Sequence, residues 1–128
     1  EGWDTATKLV ILTNILMEQE MSIEDIQAEG ITSITPEDVA KAAQDGKRYK
    51  LIGETTRLKS AVEAKVGLET ISSEDPLYGV SGTDKAVMYL TDTMGHLTIM
   101  GGASGTVAAA ASLLRDIVNL HRGYRFSY

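Results

Sequence analysis

The sequence predicts an α+β domain, a mixed β-sheet with helices packed on one face. Three observations predict it. Helix signals and strand signals are segregated along the chain, with helical segments first, alternating stretches in the middle and a helix at the end. Two stretches, RYKLIGETTR and AVEAKVGLETI, alternate apolar and charged residues as half-buried strands do. The 128 residues suit one domain of ordinary size.

Asp4 to about Glu18 reads as the first helix, with Asp4 favouring the positive end of the helix dipole. From Leu9 onward it is almost wholly apolar, so it should be packed on most sides. In MSIEDI, Ser22 can cap a short turn with Asp25 at its third position. QAEGITSI is a short β-prone stretch. TPEDVAKAAQDG carries the clearest helix signals: Thr35 caps, Pro36 takes the first helical position, Glu37 and Asp38 suit the dipole, and Gly46 stops the helix. The two alternating stretches come next and should pair, with Tyr49, Leu51, Val62, Ala64, Val66 and Leu68 on the inner side. SSEDPLYGVSGTD is a loop. KAVMYLTDTMGHLTIM reads as two strands joined near Thr93–Met94–Gly95, and GGASG opens a helix running to about His121 and closed by Gly123.

Composition narrows the function classes. A net charge of −6 without a basic cluster argues against nucleic acid or an anionic membrane as partner. The absence of cysteine rules out disulfides and thiolate metal sites, and with two histidines, His96 and His121, no metal site is expected. LVILTNILM is too short to span a bilayer and lacks the features of a signal peptide. The expectation is a soluble, intracellular (cytoplasmic) protein. The sequence starts at a helix with no initiating Met, so it reads as a fragment or an excised domain.

Three ordered segments carry a resemblance: EGWDTATKLVILTN, EGITSITPEDVAKAAQDGKRYKLIGE and EDPLYGVSGTDKAVMYLTDTMGHLTIMGGASG. Together they resemble the substrate-binding and dimerisation region of homoserine dehydrogenase, and only the last residues, RGYRFSY, fall outside the likeness. The resemblance implies the catalytic-domain fold of that family and an NAD- or NADP-dependent enzyme. Such an enzyme interconverts L-aspartate 4-semialdehyde and L-homoserine in threonine, methionine and isoleucine biosynthesis, and it works as a homodimer. It implies that residues 1–100 bind substrate and dimerise, whereas 101–128 form a Gly-rich turn and a helix that packs on a dinucleotide domain. It also implies that Asp4 and Lys8 are catalytic and substrate-binding, Lys8 near the reacting oxygen and Asp4 orienting it. The second reading is a non-catalytic oligomerisation or small-molecule-binding module derived from the same fold.

The chemistry gives that spacing a purpose. Residues four apart share a helix face. Reduction of an aldehyde builds negative charge on oxygen, which a positioned ammonium stabilises and protonates. A carboxylate one turn away keeps the ammonium charged and aimed. On the residues alone, the same pair is an ordinary surface salt bridge. The family's Gly-rich strand–turn–helix for the dinucleotide has no counterpart, because GGASG is not G-x-G-x-x-G. A similar turn, closer to G-P-G-A-G, reaches the nicotinamide in the family. Gly101 and Gly105 match it as cofactor-binding candidates, Gly102 replaces the proline, and Ala103 adds a Cβ that would close off a backbone approach. The alternative is a turn that only opens a helix. His96 reads as a hairpin residue, and His121 as a complement to a helix dipole. Trp3 packs at the start of the first helix or, alternatively, lines the pocket. Glu29 either reaches the pocket or is a strand-edge acid. The five Met residues read as core filler, and Ala108–Ala111 as a stripe allowing close helix packing.

Overall fold

The first apolar run folds as helix α1, Trp3–Leu16, in a computed structural model that describes residues 2–102 and 104–125. It ends two residues short of the expected Glu18, because Glu18 takes a left-handed φ of 52°. Arg57 Nη2 caps this end by donating to the Met17 carbonyl at 2.6 Å. The chain then doubles back. Asn14 clips the return, its Nδ2 donating to the Met21 carbonyl and its Oδ1 accepting from the Met21 N–H, both at 2.8 Å. A 3-10 turn, Ile23–Asp25, comes next, with Ser22 donating from its N–H and its hydroxyl to the Asp25 carboxylate.

The β-prone stretch QAEGITSI yields only a two-residue strand, β1, Gln27–Ala28. Its ladder finishes with the Glu29 N–H donating to the Val66 carbonyl at 2.8 Å, after which the chain turns. Helix α2, Pro36–Gln44, has the expected caps: Asp38 N–H donates to Thr35 Oγ1, and Thr35 N–H donates to the Asp38 carboxylate. Gly46, at φ 69°, releases the chain directly into β2, Lys47–Arg57. Strand β3, Val62–Ser72, pairs antiparallel with β2 along its whole length, from Lys47↔Ser72 to Arg57↔Val62. With β1 parallel on the other side of β3, the sheet is mixed, in order β1-β3-β2. Leu51, Gly53 and Thr55 lie opposite Leu68, Val66 and Ala64, so they share a face. Helix α1 packs on β2 and β3, and α2 on β2. The buried cluster is Ala6, Leu9, Ile26, Ala64 and Val66. Residues such as Leu9 and Val66 contribute about 1.5–3 kcal/mol each by leaving water.

Two features of α1 depart from expectation. Its outward residues Ile11, Ile15 and Leu16 are 43–54% exposed, so the helix is packed on one side rather than on most sides. Thr13 is fully buried, and its Oγ1 has no hydrogen-bond partner among the described residues.

These elements make up one unit of the chain, reaching to Ser73, and a second unit starts at Glu74. There a tight turn precedes the hairpin, Leu77 N–H donating to Asp75 Oδ1 and Tyr78 N–H to the Asp75 carbonyl. Strands β4, Lys85–Thr91, and β5, Gly95–Gly101, form a separate two-stranded sheet in register Lys85↔Gly101 to Thr91↔Gly95. Helix α3 runs Thr106–His121. None of its residues is buried, and Leu113, Leu114, Ile117 and Leu120 are each more than 60% exposed. Met88, Met94 and Met100 are exposed as well, so the reading of the methionines as core filler fails for these three. No described helix is long and apolar enough to cross a membrane.

Candidate functional site

Two glycines seat the start of α1. Gly2, its N-cap, has φ 89°, and a Cβ there would stand 3.3 Å from the Glu29 carbonyl oxygen. At Gly53 a Cβ would stand 3.2 Å from Thr5 Cγ2 and 3.5 Å from both Leu9 methyls. A side chain at either position would press its neighbour back by a few tenths of an ångström, so α1 approaches main chain closely at both points. This seat sets where Asp4 and Lys8 stand.

Lys8 Nζ donates to Asp4 Oδ2 at 2.6 Å, across one turn of α1. The pair stands in the open, with the Asp4 side chain 84% and the Lys8 side chain 56% exposed. An exposed pair at this spacing contributes only about 0.3–0.5 kcal/mol to stability. Asp4 also lines a depression of about 510 Å³ together with Gly2, Trp3, Thr5 and Leu51. Lys8 is not among the lining residues. Of the two readings of Trp3, the structure favours the lining one: the residue is 53% exposed and belongs to the depression. No local signal in the sequence points to Thr5 or Leu51. Leu51 comes from β2, and only the fold brings it beside α1.

Glu29 is an exposed residue at the edge of β3, held there by its N–H. His96 is exposed on β5 opposite Leu90, a hairpin residue as expected, and His121 occupies the last turn of α3. Gly101 ends β5 and Gly105 is the N-cap of α3, both in the second unit, whereas Asp4 and Lys8 belong to the first. Ala103 lies outside the described residues. Helix α3 opens with no side-chain cap and no acidic residue in its first turn. Its leading N–H groups are therefore not satisfied by a cap.

A second depression, about 380 Å³, lies between Asp25, Gln27, Glu54 and Lys65. Lys65 Nζ is bonded to Glu54 Oε2 at 2.9 Å, and this bond with the Glu54 charge raises the ammonium above its ordinary value. The cation is thus already matched by a carboxylate. Among the described residues no group of three or more His, Asp and Glu side chains is arranged to hold a metal ion.

Comparison with known proteins gives a consistent result. The model of the family described as homoserine dehydrogenase matches residues 1–118. The chain is 33% identical over 123 residues to the NAD(+)-dependent homoserine dehydrogenase of Pseudomonas canavaninivorans, covering 95% of this chain and 35% of that one. It is 33% identical over 121 residues to the homoserine dehydrogenase of Methanocaldococcus jannaschii, covering 94% and 34%. Among solved structures, a homoserine dehydrogenase from Thiobacillus denitrificans superposes with a TM-score of 0.86 at 33% identity, over 95% of this chain and 28% of that one. The chain spans about a third of the length of the curated relatives it matches.

Proposed function

The chain belongs to the homoserine dehydrogenase family, and on that premise we propose that it is the substrate-binding and dimerisation part of an NAD- or NADP-dependent enzyme. The reaction is the interconversion of L-aspartate 4-semialdehyde and L-homoserine, in threonine, methionine and isoleucine biosynthesis. The observation that carries this reading is the 2.6 Å contact that Lys8 makes with Asp4, a residue that lines the depression beside α1.

A bound nicotinamide supplies or takes up the hydride. The residues of this chain manage charge on the substrate oxygen. Lys8 presents an ammonium to the oxygen, where negative charge grows as the aldehyde is reduced, and passes it a proton. Asp4 accepts a hydrogen bond from the ammonium and fixes its direction. A helix seated on main chain at Gly2 and Gly53 is a rigid mount for both, and orientation depends on rigidity. The uncapped start of α3 and the positive-φ glycines 101 and 105 suit the approach of the nicotinamide end, because they offer backbone N–H groups and no side chain. The chain has no G-x-G-x-x-G to cradle the pyrophosphate, so these residues are not sufficient to hold a dinucleotide. In this reading residues 1–100 bind substrate and dimerise, and α3 packs on a dinucleotide-binding domain. The exposed Met88, Leu90 and Met100, which share one face of the hairpin, supply the apolar surface of a homodimer.

Steady-state kinetics test the assignment. In a protein joining this chain to its dinucleotide-binding domain, Lys8→Ala should lower kcat by about 100-fold or more, the scale of lost acid–base or electrostatic assistance. Near-normal turnover would reject the role of Lys8. An intact dimer without activity in the parent protein would favour the non-catalytic module.

A further inference from the structure

The described residues between β5 and α3, Gly102, Ser104 and Gly105, have little local packing to hold them. Gly101, Gly102 and Gly105 have φ of 127°, 95° and 105°, and apart from chain neighbours no atom of the described residues lies within 4 Å of where a Cβ would stand on any of them. Glycine adopts these conformations freely and for the same reason loses the most freedom when fixed. The ladder of the hairpin stops at the pair Lys85↔Gly101, so the residues after Gly101 are beyond its reach.

A side-chain tether continues where the ladder stops. Lys85 Nζ donates to Ser104 Oγ at 2.6 Å, and the Ser104 hydroxyl donates to the Thr83 carbonyl at 3.3 Å. Ser104 therefore accepts from one residue of the opposing segment and donates to another, three residues past the last ladder pair. Stability gives a poor reason for lysine at this place. Ordering its side chain costs rotamer entropy, and Ser104 lies only two residues before α3, whose start carries partial positive charge.

We infer that Lys85 is a positioning residue: through Ser104 it holds Gly105 and the start of α3 in the place that receives the nicotinamide end of the cofactor. The inference rests on the function proposed above for that turn, and it has two separable parts, the tether and its consequence.

Amide hydrogen exchange on the 128-residue chain reads the tether without any cofactor. The reporter is the Ala109 N–H, which donates to the Gly105 carbonyl at 3.1 Å and so depends on the turn. Lys85→Met and Ser104→Ala should each speed its exchange about tenfold, the scale of one lost charge-assisted hydrogen bond. Amides of β2 and β3 should keep their rates, and Lys85→Arg should restore protection. Unchanged exchange at Ala109 in both variants overturns the tether and leaves the proposed function standing. The consequence is read in the protein joined to its dinucleotide-binding domain, where Lys85→Met should raise the cofactor KM about tenfold, the same loss expressed as affinity, and kcat much less. Faster exchange with an unchanged cofactor KM would show that the turn is tethered but does not meet the cofactor, which refutes the inference. A fall in kcat with KM unchanged would refute it equally, since it would make Lys85 part of the chemistry.

Discussion

Replacing Thr13 with valine removes a hydroxyl that is fully buried in the α1 interface and has no partner among the described residues. A buried polar group left unpaired costs about 1–3 kcal/mol. Valine keeps the size and the β-branch of threonine. A methyl group in place of the hydroxyl also suits the Ala6 and Leu9 side of the helix, which is apolar. The variant should therefore gain about 1–2 kcal/mol, allowing for partial relaxation in the parent. With a urea m-value of about 1–3 kcal/mol/M, the midpoint should rise by roughly 1 M. Trp3 is the only tryptophan and begins the same helix, so its fluorescence follows the relevant transition. Thr13→Ala loses the hydroxyl but also a buried methyl, worth about 0.8 kcal/mol before any cavity cost. It should fall below Thr13→Val. A Thr13→Val midpoint at or below the parent value, with m unchanged, would show that the hydroxyl has a partner and that the reasoning is wrong.

Asn14→Ala cuts both 2.8 Å bonds to the Met21 backbone and should cost about 1–3 kcal/mol in urea unfolding; a loss below about 0.5 kcal/mol would mean that the return loop is held elsewhere. The Asp38 carboxyl sits below its ordinary value because the Thr35 hydroxyl and then the Thr35 N–H donate to it. A native pKa below the unfolded one gives stability that is present above the unfolded value and lost as pH falls through the native one. Asp38→Asn should therefore flatten the acid limb of stability against pH below about pH 5, and an unchanged slope by circular dichroism would reject the linkage. Met88 is 39% exposed whereas Val87 is half-buried, so Met88→Lys should split a hairpin-mediated dimer in sedimentation equilibrium at micromolar concentration. An unchanged assembly mass would put the interface elsewhere, and a monomeric parent would reject the dimer.

Much of the fold is legible because its signals are local. Thr35, Pro36 and Gly46 bound α2 by chemistry that acts within one turn. The alternation in 48–57 and 61–71 sets both the strands and the face they bury, since the side-chain period of a strand is two. Coverage is harder to read. The apolar run of α1 predicts burial all round, but Ile11, Ile15 and Leu16 are bare, because periodicity reports what a helix can bury and not what lies against it. Met94 misleads for a related reason: an apolar residue in a tight hairpin turn has no neighbours to pack on. At the candidate site, the Asp4–Lys8 contact is legible from i,i+4 spacing. Its setting is not, because Leu51 and Gly53 reach α1 only through the pairing of β2 with β3.

The seat of α1 on Gly53 bears on motion as much as on packing. A helix resting on a side chain inherits every rotamer hop beneath it, on the picosecond-to-nanosecond scale. At Gly53 there is no χ angle to hop, and the Thr5 and Leu9 methyls approach the strand backbone itself. The height of α1 above the sheet is then as steady as the β2–β3 ladder, whose pairing runs unbroken over eleven residues of each strand. Fluctuation at Asp4 and Lys8 is left to their own side chains, so their disorder can be changed by a ligand without disturbing the helix that carries them.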